Sequence, residues 1–510
     1  MKRTKNPSEV YMAEQQKSIG KTKVLIIYTG GTIGAVPSVK GNDQSPLKPA
    51  GKEDFENVIP KLGEKQGITW DIKGLTDQNE NSIKPLDSSN VNSEHWIYMA
   101  SMIEKYYNEY DGFVVLHGTD TMVFTASALS FMLENLAKPV IITGSQLPIF
   151  EERTDAKQNL VNALYIAGYK ATGLPLVPEV VICFADRLLR GNRTRKVSST
   201  SWAGFDTPNY PHLGTIGEHI VIKPEMLRPP ADNNRNPFRA YKRMVDDVMD
   251  IAVFPGLKPK QLESILALDG IKGIVFRTFG AGNAPDNKEF LQTIENATKE
   301  RKCTILNVTQ CNQGMVEMGL YEASSGLLER GVISGLDMTP EAALTKMMFI
   351  LGSQRGEDIR LELQQNLRGE QSENLFELRY KIPENKEVLN KEYREFSERP
   401  PGSFQKNELR SAILRVSGVN VENKKEGDLV CISAFIGLPE KTSYDESVPE
   451  YAGKLTTNYV GEKDTVLLLD ITETLKKVYT KDGSPIYVSL VSKEKFQFRG
   501  LFVTLFARAT

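Results

Sequence analysis

The sequence contains little cysteine, no long hydrophobic run and almost no net charge. Its four cysteines form no C-x-x-C pair, and no cluster of cysteine and histidine has zinc-ligand spacing, so we predict neither a metal nor another cofactor. No apolar run approaches the roughly 20 residues that cross a bilayer. The N-terminal segment lacks the apolar stretch of a secretion signal. These absences predict a cytoplasmic protein without a membrane partner.

The charge balance argues against nucleic acid as a partner. The chain carries 63 basic and 65 acidic residues among 510, for a formal net charge of -2. Such a balance provides no overall attraction to a phosphate backbone. The expected partner is therefore a small molecule. A chain of this length exceeds one ordinary domain, so several domains are expected.

Short apolar runs alternate with amphipathic stretches through the first half of the chain. The runs are Lys23–Tyr28, Phe113–Leu116, Val140–Thr143 and Val180–Phe184. Helical patterns over 121–136 and 155–167 separate three of these runs. Strands that alternate with helices are typical of a parallel sheet covered on both faces. We therefore predict a disordered tail over 1–20 and a larger α/β domain over 21–222.

Composition divides the remainder of the chain. A polar, proline-containing segment over 223–243 predicts a linker, and renewed alternation over 244–370 predicts a smaller α/β domain. The charged segment 371–408 predicts a second linker. Short β-type runs separated by turn residues over 409–510 predict a small β-sandwich-like accessory domain.

The first polar motif, YTGGTIG over 28–34, directly follows the first predicted strand. Ligands bind beyond the carboxyl ends of strands in an open parallel sheet. Two glycines allow a sharp turn and close approach of the backbone, and the Thr32 hydroxyl could attack an electrophilic carbon there. An ordinary glycine-rich turn and a phosphate loop are the alternatives, although the spacing of dinucleotide and Walker motifs is missing.

Two further polar motifs follow later strands. The segment HGTDTM over 117–122 is typical of a helix N-terminus capped by Thr119 or Asp120, a position that also binds anions. The segment RGNRTRK over 190–196 is either a solvated basic loop or the source of a lysine that shares a proton with a hydroxyl in a desolvated site.

Taken together and in this order, the three motifs resemble the signature segments of the L-asparaginase family. Further matches are LDSS over 86–89, TGSQ over 143–146 and RTFGAGNAP over 277–285. The resemblance covers about residues 22–370 and is greatest to the cytoplasmic, type I bacterial branch. It implies an asparaginase-like α/β fold, with the β-rich segment as an addition.

The resemblance implies hydrolysis of L-asparagine to L-aspartate and ammonia. Thr32 would be the nucleophile, and Thr119, Asp120 and Lys196 would form a second catalytic group. Asp120 would also pair with the substrate α-ammonium. The α-carboxylate would be held by Asp87, Ser88 and Ser89.

Other residues of the family pattern concern assembly and regulation. The family forms dimers or tetramers in which a residue matching Asn283 completes a neighbour's site, although Asn283 could instead belong to a simple turn. Arg277 and Cys311 match an allosteric asparagine site, with a buried apolar role as the alternative for Cys311. A threonine usually precedes the lysine, but Arg195 stands here. We therefore predict weak or absent cooperativity.

One departure affects the chemistry. The family usually places a tyrosine on the loop after the first motif, yet residues 35–60 contain none, and Asn42 and Asp43 lie about where it is expected. This departure keeps a non-catalytic amino-acid sensor open as an alternative. An asparaginase-like amidotransferase subunit is another, although that subunit carries its extra domain at the N-terminus.

Overall fold

The computed structural model describes residues 21–38, 45, 47–51, 62–318, 322–353, 358–380, 390–400, 404–437, 444–458 and 465–508. The chain divides into two compact units. The first contains residues up to 363 together with 367–370, and the second contains 364–366 together with the residues from 371 onward. The predicted tail over 1–20 lies outside the described residues.

The first part of the first unit contains one large sheet with helices on its faces. The strands of this part of the unit are β1 (Thr22–Tyr28), β2 (Ala35–Pro37), β3 (Leu47–Pro49), β4 (Ile68–Gly74), β5 (Gly112–Leu116), β6 (Leu133–Glu134), β7 (Val140–Thr143), β8 (Val180–Phe184), β9 (Arg187–Arg190), β10 (Arg195–Lys196), β11 (Phe205–Asp206), β12 (Gly214–Ile216) and β13 (Ile220–Ile222). Its helices are α1 (Ser93–Tyr106), α2 (Met122–Met132), α3 (Ala156–Ala167) and α4 (Tyr169–Thr172).

The large sheet has the order β13-β12-β9-β8-β7-β5-β1-β4. Strands β4, β1, β5, β7 and β8 pair in parallel. The predicted parallel sheet is thus confirmed in its central part, while β9, β12 and β13 add an antiparallel edge. Strands β5, β7 and β8 are buried along their whole length, as their continuous apolar sequences require.

A smaller parallel sheet follows in the same unit. Its strands, in spatial order, are β15 (Val248–Ala252), β16 (Gly273–Thr278), β17 (Thr304–Thr309) and β18 (Ile333–Ser334). Its helices are α5 (Pro259–Leu266), α6 (Lys288–Glu295), α7 (Glu322–Glu329), α8 (Pro340–Ser353) and α9 (Ile359–Leu363). Helices α2 and α8 pack together, and the Phe131 and Phe349 ring centroids lie 6.0 Å apart. The two sheets therefore share a core.

The segment 223–243, predicted as a linker, connects these two sheets within the first unit. It contains β14 (Arg239–Ala240), which pairs antiparallel with β6. No helix among the described residues is both long and apolar enough to cross a bilayer.

The described residues of the second unit form two antiparallel sheets and one α-helix. Its strands are β19 (Glu373–Arg379), β20 (Asn390–Glu398), β21 (Leu409–Ser417), β22 (Asn420–Val421), β23 (Leu429–Ile436), β24 (Tyr451–Asn458), β25 (Val466–Asp470), β26 (Ile486–Gln497) and β27 (Gly500–Arg508), and its helix is α10 (Thr472–Val478). The sheet orders are β19-β27-β21-β25 and β20-β26-β23-β24. The predicted β-rich addition is confirmed.

The prediction of a linker over 371–408 is wrong. Strand β19 pairs with β27 and strand β20 pairs with β26, so this segment supplies one strand to each sheet. In β19 the apolar residues Leu375, Phe376 and Leu378 are buried although charged residues stand among them. Because Leu375 and Phe376 are adjacent and point to opposite faces of the strand, the buried residues do not simply alternate, and the segment resembles a charged linker in composition.

Candidate active site

The first motif forms a tight turn at the end of β1, in the centre of the large sheet. Gly30 and Gly31 have φ values of 114° and 83°, which side chains rarely adopt. A Cβ atom on Gly30 would lie 2.3 Å from the Leu86 carbonyl oxygen, and one on Gly31 would lie 2.3 Å from the Gly118 nitrogen. Both glycines are therefore required by close packing, and they lead into the half-buried Thr32.

The second motif follows β5, the neighbour of β1. Its Gly118 is enclosed between the other two loops, because a Cβ atom there would lie 2.5 Å from Ser88 Oγ and 3.2 Å from the Gly31 Cα. Three segments that are distant in sequence thus meet at Gly118. This contact brings the loop that carries Thr32 against the loop that carries Thr119.

The Asp-Ser-Ser segment closes one side of this group. Asp87 Oδ1 accepts hydrogen bonds from the Ser89 nitrogen at 2.9 Å and the Ser89 hydroxyl at 2.8 Å. Ser88 Oγ accepts from the Asp120 nitrogen at 3.3 Å, and the Thr121 hydroxyl donates to the Ser88 carbonyl at 2.7 Å. Ser88 is buried, whereas Asp87 and Ser89 are exposed.

Lys196 lies on β10, which pairs with β11 in a separate two-stranded sheet, and its side chain reaches the second motif. Its Nζ donates to Thr119 Oγ1 at 3.0 Å and to Asp120 Oδ1 at 2.7 Å. Thr119 is buried, the Lys196 side chain is 19% exposed and the Asp120 side chain is 65% exposed. An ammonium group that donates to a buried hydroxyl leaves the hydroxyl proton available for transfer and stabilises the oxygen that would remain.

Buried ion pairs support the turn before Lys196. Arg193 Nη1 contacts Asp337 Oδ2 at 2.7 Å, and its Nε donates to the Gly369 carbonyl at 2.7 Å. The next residue, Glu370, pairs with Lys346 at 2.7 Å, and both side chains are fully buried. Burial alone would raise the pKa of Glu370, but Lys346 and two backbone N–H groups lower it overall. The pairing of these residues was not predicted from the sequence.

His117 is fully buried and belongs to a defined hydrogen-bond chain. Its Nδ1 lies 2.7 Å from the Gly118 carbonyl, which can only accept, so Nδ1 carries the proton. Nε2 then accepts from the Thr125 hydroxyl at 2.9 Å, and that hydroxyl accepts from Trp96 Nε1 at 2.9 Å. Burial lowers the pKa of His117 to about 4. His117 is neutral and holds the Gly118 loop.

Residues 35–60 contain no tyrosine, so Tyr28, at the start of the first motif, is the tyrosine nearest to Thr32 in sequence. Asn42 and Asp43 lie outside the described residues. The Tyr28 hydroxyl donates to the Ala50 carbonyl at 3.1 Å, and a Cβ atom on Gly34 would lie 2.2 Å from the tyrosine oxygen. Tyr28 therefore packs within the fold behind the turn.

Asn283 lies in the smaller sheet region, in a turn closed by a bond from its nitrogen to the Phe279 carbonyl at 2.8 Å. Its side-chain Oδ1 is buried and has no hydrogen-bond partner among the described residues. Within the same part of the chain, no hydrogen bond or ion pair joins Asn283 to Thr32 or Thr119. The turn predicted as its alternative role is thus present.

Arg277 and Arg195 flank one carboxylate. Arg277 Nε contacts Asp250 Oδ1 at 2.8 Å. Burial raises the pKa of Asp250, while the charges of Arg277 and Arg195 oppose this shift. Arg195 Nη1 also donates to Asn312 Oδ1 at 3.3 Å, next to Cys311. Cys311 is exposed, so the buried role suggested for it is wrong.

The two parallel sheets and the clustered loops define a class of α/β enzyme that combines threonine hydroxyls with a lysine–carboxylate pair. Comparison with known proteins identifies the family within this class. The model for the N-terminal domain of asparaginases matches residues 23–228, and the glutaminase/asparaginase C-terminal domain matches residues 247–361. The chain belongs to the asparaginase family.

Individual relatives agree with this assignment. L-asparaginase 1 of Escherichia coli K12 is 39% identical over 353 residues, which cover 69% of this chain and 98% of that protein. A 60 kDa lysophospholipase of Homo sapiens is 38% identical over 368 residues, covering 68% of this chain and 61% of that protein. The solved L-asparaginase I of Vibrio cholerae has a TM-score of 0.60 at 37% identity, covering 69% of this chain and 100% of that one. The predicted family and its fold are confirmed.

Proposed function

We propose that the protein hydrolyses L-asparagine to L-aspartate and ammonia, with Thr32 as the nucleophile. The observation that carries this proposal is the contact of Lys196 Nζ with both Thr119 and Asp120, in a loop that packs directly against the turn bearing Thr32. The loop that carries Thr119 and Asp120, bonded to Lys196, lies against the turn that carries Thr32. The similarity to L-asparaginases supports the choice of substrate.

The substrate is a zwitterion, and the charges in this region match it. The exposed Asp120 carboxylate suits the α-ammonium group, and the exposed Ser89 hydroxyl with the Ser88–Asp87 segment suits the α-carboxylate. Anchoring both ends of asparagine would leave its side-chain amide to face Thr32. Such positioning contributes much of the rate enhancement of enzymes.

In the proposed reaction, the Thr32 oxygen attacks the amide carbon, and the hydroxyl proton of Thr32 is transferred to the amide nitrogen. The C–N bond then breaks, and the nitrogen leaves with a proton as ammonia. Water, oriented by Thr119 and Lys196, hydrolyses the ester and restores the Thr32 hydroxyl. Backbone donors must stabilise the oxyanion. Gly31 N–H is not one of them, because it donates to the Leu86 carbonyl at 2.9 Å.

The direct test measures ammonia release from asparagine by the wild type, Thr32→Ala and Lys196→Met. We expect Thr32→Ala to lower kcat by about 10⁴-fold, because the covalent step is lost, and Lys196→Met by about 10²-fold or more. Thr474→Ala serves as the matched control, since Thr474 lies on α10 of the second unit and makes only a 3.4 Å bond to the Tyr451 carbonyl. It should retain wild-type turnover.

The same assay separates the alternatives. A wild-type protein that binds asparagine without releasing ammonia would be the amino-acid sensor. Ammonia release that requires a tRNA-bound acceptor would indicate the amidotransferase subunit. Full activity in Thr32→Ala would refute the proposed nucleophile while leaving the substrate unchanged.

We also propose that a second copy of the chain completes the site through Asn283, in a homodimer or homotetramer. The buried, unpartnered Asn283 Oδ1 supports this proposal, because such an atom costs free energy unless a partner is supplied. Thr32→Ala and Asn283→Ala should each be inactive alone. Mixed after mild dissociation, they should regain about a quarter of the wild-type activity, because random pairing restores one intact site in some dimers.

A mixture that stays inactive, although mixed oligomers have formed, would place Asn283 outside the shared site. Two wild-type tagged preparations, mixed in the same way, control for losses during dissociation. A verified monomer with full turnover would also contradict this assembly.

A further inference from the structure

A cavity of about 240 Å³ lies in the first unit at the far end of helix α2 from the proposed active site. Thr119 and Asp120 precede the first residue of this helix, whereas Ser130 and Leu133 at its other end line the cavity. A helix of this length spans about 16 Å. Neither Thr119 nor Lys196 contributes to the lining, so the cavity is separate from the proposed catalytic group.

Three arginines line this cavity, and two of them are neutralised by carboxylates. Arg190 holds Glu179 through two bonds, of 2.6 Å from Nε and 3.1 Å from Nη2. Arg368 Nη2 contacts Glu134 Oε1 at 3.1 Å. Arg190 and Arg368 are therefore each paired directly with a carboxylate.

The third arginine, Arg228, is different. Its backbone nitrogen donates to Glu179 at 2.6 Å, but its guanidinium makes one long bond, 3.4 Å from Nη2 to the Leu367 carbonyl. Among the described residues, no carboxylate lies within 4.0 Å of its guanidinium nitrogens. Glu179 and Glu370 favour its charge only from a longer distance. The cavity therefore carries one guanidinium group that is not paired directly with a carboxylate.

The surroundings of Arg228 make this charge costly. Burial lowers the pKa of its guanidinium, and the like charge of Arg368 lowers it further. Like charges in a partly desolvated space repel one another unless an anion lies between them. Pro229 and Pro230 follow directly and fix the backbone beside the guanidinium, so the group is held at the cavity with few alternative conformations.

We infer that this cavity binds a small oxyanion, a carboxylate or a phosphate, through the guanidinium groups of Arg228 and Arg368. The planar guanidinium fork of arginine suits two oxygens of such an anion. The bound anion would pair directly with the Arg228 guanidinium, which no carboxylate among the described residues does.

The test is thermal unfolding of the full chain, followed by tryptophan fluorescence, because Trp70, Trp96 and Trp202 all lie in the first unit. Inorganic phosphate and succinate are titrated separately at constant ionic strength, with chloride as the replaced anion. A phosphate site and a carboxylate site are then distinguished by which titration saturates. We expect the bound anion to raise Tm by about 2 °C or more.

Three variants locate the effect. Arg228→Gln should abolish the saturable rise, whereas Arg235→Gln, which removes an exposed arginine paired with Asp232, should retain it. Lys196→Met should also retain it, since the proposed active site is not involved. Without added anion, Arg228→Gln should unfold at the wild-type temperature or above, because it removes a buried cation that has no directly paired carboxylate.

Any of three results of the anion titrations overturns the inference. These are no saturable rise with either anion in the wild type, a full rise in Arg228→Gln, or loss of the rise in Lys196→Met. A Tm several degrees below wild type for anion-free Arg228→Gln would also overturn it, because the guanidinium would then be satisfied by protein groups. A failed asparagine assay has no bearing on these outcomes.

Discussion

The two units of the molecule use charge differently. In the first unit, Lys346 and Glu370 form a fully buried ion pair, and the Arg193–Asp337 pair is 1% and 10% exposed. In the second unit, each described ion pair has at least one well-exposed partner. Its strands instead bury alternating apolar residues between two sheets.

Burying two charges costs desolvation energy that an apolar pair would not. The first unit nevertheless retains such pairs beside the segment that delivers Lys196. Arg193 stands three residues before Lys196, and its Nε bonds the residue that precedes Glu370. We interpret the pairs as devices that fix one geometry for Lys196, the lysine that we propose to be catalytic, at a cost in stability that the second unit avoids.

The largest effect should come from breaking the buried pair. Glu370→Gln leaves Lys346 buried without its partner, so the free energy of unfolding of the first unit should fall by about 3–5 kcal/mol. Glu446→Gln breaks the Glu446–Lys454 pair of the second unit, where both side chains are about half exposed, and should cost less than about 1 kcal/mol. Urea unfolding followed by tryptophan fluorescence for the first unit and by circular dichroism for the second measures both. Equal costs would remove the contrast between the units.

A second effect concerns pH, because all four histidines lie in the first unit and none in the second. The pKa of His117 is lowered from an ordinary 6.5 to about 4 by burial. The unfolded chain therefore binds the proton more readily than the folded one between these values. The stabilisation from keeping His117 neutral is full above pH 6.5 and is lost as the pH falls to about 4.

Between pH 7 and pH 4, the wild type should lose about 3 kcal/mol of unfolding free energy that His117→Gln does not lose. His219→Gln, on the surface, is the control and should follow the wild type. Fluorescence is a suitable probe, because Trp96 is joined to His117 through Thr125. Parallel pH profiles for wild type and His117→Gln would show that the imidazole titrates normally in the folded protein.

Elements with a strong hydrophobic period were predictable from sequence. The strand expected over 23–28 extends over Thr22–Tyr28, and the helix expected over 155–167 extends over Ala156–Ala167. Strand β4 was not expected, because polar residues interrupt its apolar ones and only Ile68 and Ile72 are buried. Patterns of this kind acquire meaning only from the neighbouring strand, which local sequence does not specify.

The site was predictable only in its parts. Composition and spacing indicated turns and a helix N-terminus, whereas the grouping of Thr32, Thr119 and Lys196 came from the family resemblance. The contact between Lys196 and Thr119 joins residues 77 positions apart, and the Arg193–Asp337 pair joins residues 144 apart. One local signal was available: Lys346 is a lone charge among the apolar residues in the middle of α8, and a charge in that position requires a buried partner.

The smallest expected effect concerns Arg195, whose side chain is 22% exposed and so lies between the buried and the exposed ion pairs in its exposure. Its guanidinium donates to Asn312, lies 3.5 Å from a Glu341 carboxylate oxygen and acts with Arg277 on the Asp250 carboxyl group. At the effector site that the family resemblance implies, Arg195 would add a cation that opposes the ammonium group of an effector. We expect wild-type activity to rise hyperbolically with asparagine concentration, and Arg195→Thr to become sigmoidal. Arg195→Lys keeps the charge and should stay hyperbolic. If the wild-type curve is sigmoidal and Arg277→Ala makes it hyperbolic, the prediction is wrong. Arg195 would then leave an effector site open. Its charge would matter as little for cooperativity as the surface charges of the second unit.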